Sequence, residues 1–229
     1  PTPQQRSSAA SDVYKRQYAE GAMIEPLAVG LQAAEKAKII PGESALVMGC
    51  GPIGLVIALT ALAGGCSKVF IADIVSKKLE MCKNYNNLIP IDLNKDNPAE
   101  IVKKNTNNWG ANIIFEASGA TKAYDVIFDS ICPAGKVVIV GNPMNSIPMD
   151  FATLLTKEIE IKTVFRYAHQ YERAINLLSS NKIDVKPMIT DTVAFDDSIK
   201  AFERAAKNLP EDVKIPVSYT HLTLPTIAV

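Results

Sequence analysis

The sequence predicts an α/β protein built on a doubly wound parallel sheet, and three observations carry that expectation. Short β-rich runs alternate with stretches of helical length, several of the runs are apolar at every position, and a glycine-rich turn joins the first run to the first helix. Alternation of strand and helix is the signature of repeated βαβ units. Runs such as ALVM, VFIA and VVIV, apolar throughout, fit strands covered by helices on both faces. Right-handed crossovers then wind those helices onto the two sides of one sheet.

Strands are expected at residues 44–48, 68–72, 88–91, 111–116, 136–140 and 159–163. Helices are expected between them at residues 53–63, 76–84, 98–105 and 121–130, each of helical length and composition. Residues 53–63 are the longest apolar stretch, too short to span a bilayer and interrupted by Gly54, so they read as a buried helix. Ahead of the first strand, residues 21–38 read as one helix, stopped before the Pro41-Gly42 turn. Beyond Tyr167 the pattern gives a helix at 171–180, extended chain at 185–195, a helix at 197–207 with an acidic start, and a last extended piece at 213–216.

Both ends read as foreign. One choice of codons for residues 7–17, SSAASDVYKRQ, has a reverse complement that translates, two bases in, as VSYTHLTLPT, residues 217–226. The expectation is one DNA adaptor, similar to a common transposon-type library adaptor, translated at both ends, and such scars are excluded from fold reasoning. Residues 1–17 and 217–229 are therefore expected to be adaptor-derived, with genuine protein from about Tyr18 to Pro216. That core carries 21 Lys and Arg against 23 Asp and Glu, a net charge of −2. Near-neutral, dispersed charge gives no electrostatic reason to expect a nucleic acid or an anionic membrane as partner. Cys50, Cys66, Cys82 and Cys132 are irregularly spaced without a CxxC pair. They read as buried free thiols of a cytoplasmic protein, and no metal site is signalled.

Gly49-Cys50-Gly51-Pro52-Ile53-Gly54 is a GxGxxG directly after a strand and at the start of a helix. The first glycine permits a tight turn, the second lets a pyrophosphate approach the backbone, and the third lets the helix pack on the strand. Helix-terminal N–H groups and the helix dipole then favour the phosphates. Asp73 closes the next strand, where a carboxylate can hold the adenine-ribose hydroxyls. The set predicts a Rossmann dinucleotide site. A carboxylate repels the 2′-phosphate of NADP and suits the free diol of NAD, although Lys77 and Lys78 could pair a phosphate. NAD is the expected cofactor.

With these residues in view, the chain resembles the medium-chain zinc-type alcohol and polyol dehydrogenases, on the side of the sorbitol and xylitol enzymes. The resemblance runs in order through Gly21-Ala22-Met23-Ile24-Glu25-Pro26-Leu27, the GCGPIG turn, Phe115-Glu116-Ala117-Ser118-Gly119, Val140-Gly141-Asn142 and Val164-Phe165-Arg166-Tyr167. The tail from Lys186 to Lys214 is similar to the xylitol branch. The resemblance implies that Glu25 lies beside a catalytic zinc and its bound water, and that Arg166 and Tyr167 contact the polyol. It implies cofactor contacts from Ile53, Asp73 and Lys78, with Val140, Gly141, Asn142, Val164, Phe165 and Arg166 near the nicotinamide. His169 matches no ligand position. The Cys, His and Glu ligands of the family's zinc belong to a GroES-like front lobe that this chain is expected to lack.

On this reading residues 18–42 connect to that lobe, 43–167 form the NAD-binding domain, and 168–216 return to the lobe with strands lacking sheet partners. The intact protein is expected to be a homo-oligomeric enzyme that oxidises a polyol with NAD and zinc, and the fragment to bind NAD without turnover. Three alternatives share the glycine turn: a zinc-free quinone oxidoreductase, a non-catalytic NAD-binding module, and a methyltransferase using S-adenosylmethionine.

Overall fold

The computed structural model describes residues 18–218. Its described residues divide into two compact units, Ile24–Asp184 and a second containing Tyr18–Met23 and Val185–Ser218. The first unit reaches past Tyr167, where the sequence reading ended the nucleotide-binding domain.

The first unit is a six-stranded, all-parallel sheet in the order β3-β2-β1-β4-β5-β6. Its strands are β1 (Ser44–Met48), β2 (Lys68–Asp73), β3 (Leu88–Asp92), β4 (Ala111–Glu116), β5 (Ile131–Ile139) and β6 (Glu160–Thr163). This order reverses between β1 and β4, the switch point at which open α/β sheets bind ligands beyond their strand carboxyl ends. Side chains alternate across the sheet. Leu46, Met48, Phe70, Ile91, Ile114 and Ile127 belong to one buried cluster, completed by Tyr124, Val102 and Val137. Every residue of β1 is buried, as expected for a central strand under helices on both faces. Fully burying a Leu, Ile or Phe contributes roughly 1.5–3 kcal/mol, so these strands hold the unit together.

The helices are α1 (Tyr18–Gly21), α2 (Ile24–Ala37), α3 (Pro52–Ala63), α4 (Ser76–Leu79), α5 (Pro98–Asn105), α6 (Tyr124–Ser130), α7 (Phe151–Thr156), α8 (Tyr171–Ser179) and α9 (Ser198–Ala206). Helix α3, IGLVIALTALA after its proline, is buried nearly all round. Trp109, the one tryptophan of the sequence, precedes β4 at the amino end of the strands and is 56% exposed.

Several expectations are corrected. The helix expected over 21–38 is one helix that starts only at Ile24, after the short α1, because the Pro26 ring has no N–H to bond the Ala22 carbonyl and would clash with it. Instead Met23 N–H donates to Glu20 O at 3.0 Å, closing a turn before α2 begins. Strand β5 starts at Ile131, five residues early: Pro133 and Gly135 read as punctuation, but the chain pairs Ala111 with Ile131 and absorbs them in a register shift. The expected helices at 76–84 and 121–130 each contain a 3₁₀ turn, at Glu80–Asn84 and Thr121–Ala123. Helix α7 was not foreseen. Its signal was Asp150, whose carboxylate caps the Ala152 and Thr153 N–H groups.

In the second unit, the two C-terminal extended segments were expected to lack sheet partners. They pair with each other: Ile189 bridges Lys214, and β7 (Val193–Ala194) runs parallel to β8 (Val217–Ser218). Backbone groups with no other ladder satisfy one another, with Thr190 N–H to Lys214 O and Val193 N–H to Pro216 O both at 3.0 Å. Arg204 fastens the unit, donating to Asp212 at 2.8 and 2.5 Å and to Asp191 at 2.6 Å. Val217 and Ser218, assigned above to the foreign tail, supply β8. Residues 1–17 and 219–229 lie outside the described residues.

Sterics at the first βα turn give a test of this packing. A Cβ on Gly54 would lie 1.8 Å from the Gly49 carbonyl oxygen, whereas one on Gly51 would meet nothing within 4 Å. Gly54→Ala is expected to cost about 3 kcal/mol and lower Tm by roughly 10 °C. Gly51→Ala is expected to stay within about 1 kcal/mol of the parent. Thermal unfolding of both variants checks the pair, and equal Tm values would contradict the packing.

Candidate functional site

Strand β1 ends at Met48, and the chain turns through Gly49 with φ +102°, a left-handed conformation that favours glycine. The turn is anchored on both sides. Gly49 N–H donates to Ala72 O of β2 at 2.7 Å, and Ala117 N–H just past β4 donates to Met48 O at 2.9 Å. Gly51 is the N-cap of α3, in extended conformation and with no side chain capping the helix. The first-turn dipole and N–H groups of α3 therefore point past Gly51 toward a face where an added methyl meets nothing. That is a cradle for an anion with room at its centre.

Asp73, at the end of β2, leans onto this turn. Its carboxylate accepts from Cys50 N–H at 2.7 Å and from Val75 N–H at 2.8 Å. A carboxylate offers about four acceptor positions, so two remain for an external donor such as a sugar diol. Lys78 is partly buried, and its carbonyl lies 3.4 Å from the Cys50 sulfur, so the start of α4 is tied to the same turn. Pro52 and Ile53 are partly exposed at the mouth of the cradle.

At the carboxyl ends of β4 and β5, Val140 and Gly141 N–H groups both donate to Glu116 O at 2.8 Å, while Asn142 is exposed beside them. Val164 is buried at the end of β6, with its N–H on Ile139 O at 2.8 Å. Phe165 is 84% exposed, and the Arg166 guanidinium lies over its ring, 5.5 Å from the centroid. Glu25, exposed in the first turn of α2, lies close enough to Tyr167 for its carboxylate to act on the phenol, a grouping that sequence reasoning missed in part. Tyr167 bonds Tyr171, hydroxyl to hydroxyl at 3.1 Å, with the rings edge to face at 5.3 Å. The bond to Tyr171, then burial, then the Glu25 carboxylate push the Tyr167 phenol above its ordinary range. Arg166 is not drawn into this group but pairs with Phe165. His169 is exposed.

The four cysteines are all buried and free. A hydrogen bond with Cys82, reinforced by burial, raises the Cys50 thiol well above the usual range, and burial pushes Cys66 up to about 12. Among the described residues, no group of three or more His, Cys, Asp or Glu is placed to hold a metal ion. Thiols that are protonated and shielded react slowly. An aromatic disulfide reagent at pH 8 is expected to label the native chain at least about tenfold more slowly than the unfolded chain, in which all four thiols react. Fast labelling of Cys50 in the native chain would contradict the burial described.

The sequence profile of the family described as zinc-binding dehydrogenase matches residues 52–180. The D-xylulose reductase of Morganella morganii is 45% identical over 192 residues, covering 83% of this chain and 56% of that protein. Sorbitol dehydrogenase of Bacillus subtilis is 33% identical over 201 residues, covering 87% and 57%. The solved 2R,3R-butanediol dehydrogenase of Bacillus subtilis superposes with a TM-score of 0.81 at 25% identity, covering 88% of this chain and 58% of that one. The chain thus spans little more than half the length of the relatives it matches. With the glycine turn, the acid of β2 and the strand order all inside the matched region or directly against it, the chain belongs to the zinc-binding dehydrogenase family.

Proposed function

We propose that this chain is the NAD-binding part of a polyol dehydrogenase, and that the whole protein oxidises a secondary alcohol of a xylitol- or sorbitol-type polyol to a ketose. One observation carries the cofactor assignment: the Asp73 carboxylate sits 2.7 Å from the backbone N–H at the heart of the GCGPIG turn, beside an anion cradle open at Gly51. Pyrophosphate at the α3 start and ribose on Asp73 are one molecule's spacing in a dinucleotide fold. Relatives that carry the names D-xylulose reductase and sorbitol dehydrogenase support the substrate class.

Gly51 and the α3 N-terminus would hold the diphosphate, with Ile53 covering it. Asp73 would take the adenine-ribose hydroxyls and disfavour a 2′-phosphate by charge repulsion. Lys78 would flank the adenine side. When bound, NAD supplies a carbon that accepts hydride from the alcohol carbon. Val140, Gly141, Asn142, Val164 and Phe165 would bound the nicotinamide half. Arg166 and Tyr167 would orient the polyol by directed donors, and Glu25, whose carboxylate acts on the Tyr167 phenol, would set the charge near the reacting hydroxyl.

The described residues do not fit a catalytic zinc. In this reading its ligands lie in the portion of the relatives that the chain does not span, and the chain alone binds NAD without turning over a polyol. Buried free thiols fit a cytoplasmic setting, and no helix among the described residues is long and apolar enough to cross a membrane. Assembly as a homo-oligomer follows the family resemblance.

Calorimetry of the chain with NAD, NADP and S-adenosylmethionine tests the assignment. NAD is expected to bind and the other two to bind at least about tenfold more weakly. Asp73→Ala is expected to weaken NAD roughly tenfold or more, the loss of hydrogen bonds to a charged acceptor, and to erase the preference over NADP. Preferred binding of S-adenosylmethionine would favour a methyltransferase and overturn the proposal.

A further inference from the structure

Glu116 has a carboxylate more deeply placed than any group the cofactor assignment uses. It closes β4 with no exposure, in register with Met48 of β1 and Ile139 of β5. It therefore occupies the last rung of the sheet at the switch point. One carboxylate oxygen accepts from Ser118 N–H at 2.8 Å, from the Ser118 hydroxyl at 2.5 Å and from Gly119 N–H at 3.0 Å. The other lies 3.3 Å from the same Gly119 nitrogen. Its main-chain oxygen meanwhile takes both Val140 N–H and Gly141 N–H. A single residue thus binds the loop 117–119 with its side chain and the loop 140–142 with its backbone.

The two loops are locked together by volume. A Cβ on Gly141 would lie 2.3 Å from Gly119 N and 2.5 Å from the Glu116 carboxylate, and one on Gly119 would lie 3.0 Å from Asn142 O. The first loop also presses on the cofactor turn, since a Cβ on Gly49 would meet Ser118 backbone at 3.1 Å. The negative charge is felt nearby: burial, and after it Glu116, push the Tyr124 phenol up to about 12.

We propose that Glu116 is a positioning residue for the nicotinamide half of the dinucleotide. Its carboxylate sets the 117–119 loop, and that loop sets the 140–142 segment. The proposal rests on the NAD reading above. A doubly wound sheet binds one mononucleotide on each side of its switch point. Asp73 serves the β1–β3 side, and Glu116 serves β4 and β5, so their losses should separate by ligand half. Glu116 bonds the loop through a charged acceptor, and such bonds are about twice as strong as neutral ones. An amide at this position retains the shape, loses that strength, and points two donors at a loop that offers N–H groups.

The test uses Glu116→Gln and the milder Ser118→Ala, which removes the hydroxyl that donates to Glu116 and accepts from Ala120 N–H at 3.1 Å, so that one variant remains if the other does not fold. NAD and ADP-ribose, which lacks the nicotinamide, are titrated by calorimetry, and NADH emission reports the bound ring. NAD affinity is expected to fall roughly tenfold in Glu116→Gln and about threefold in Ser118→Ala, with NADH emission moving toward its free value. ADP-ribose affinity should change less than about twofold. Equal losses for both ligands would assign Glu116 a merely structural role, and unchanged NAD affinity would remove any role; either overturns the proposal. A parent chain that binds neither ligand removes the NAD site itself, a result distinct from both.

Discussion

The close approach of Gly54 to the Gly49 carbonyl is the constraint on which the cofactor end of the sheet depends. With 1.8 Å where a methyl would stand, α3 rests directly on the turn it springs from. Its first peptide groups are thereby aimed along the exit of β1 instead of away from it. Ala72, Ala117 and Asp73 then each contribute one bond to the same short stretch of backbone. The turn is held from the two strands that flank β1, β2 and β4, and no side chain of its own closes the anion cradle. Preorganisation of this kind lets a charged ligand be held without first ordering a loop.

The parallel sheet was legible because its signals are local. All-apolar runs, bounded by Gly, Pro and Asn, sit on the observed strands, and residues 98–105 and 111–116 match α5 and β4 end to end. Two of the failures share a cause: they depend on partners remote in sequence. Pro133 and Gly135 read as a break, but pairing of Ile131 with Ala111 carries β5 through them. The mutual pairing of residues near 189–194 and 214–218 has no local signature either. Helix α7 buries none of its residues, so hydrophobic periodicity could not reveal it, and only its Asp150 cap was readable.

The candidate site divides along the same line. The glycine turn and Asp73 could be read from spacing, because strand, turn, helix and strand follow one another along the chain. Glu25 and Tyr167 entered through family resemblance alone, since nothing in the sequence between them says that α2 and the end of β6 meet. Tyr171 was missed for that reason, although it stands one helical turn beyond Tyr167. Glu116 was quoted within FEASG without a role. An acid directly after the apolar run Ile113-Ile114-Phe115 was the available signal, for a carboxylate is buried only where donors converge on it.

Trp109 stands at the opposite end of β4 from Glu116 and its loop, separated by the length of that strand. At about 3.3 Å per residue this is roughly 20 Å. The chain's one indole is thus an intrinsic optical donor on the far rim of the sheet, too distant to be quenched by contact with a bound nucleotide. It lies near enough to pass excitation to a reduced nicotinamide. With a reduced nicotinamide in the proposed site, sensitised light from the dihydropyridine ring would report occupancy, rising as the indole's own emission falls.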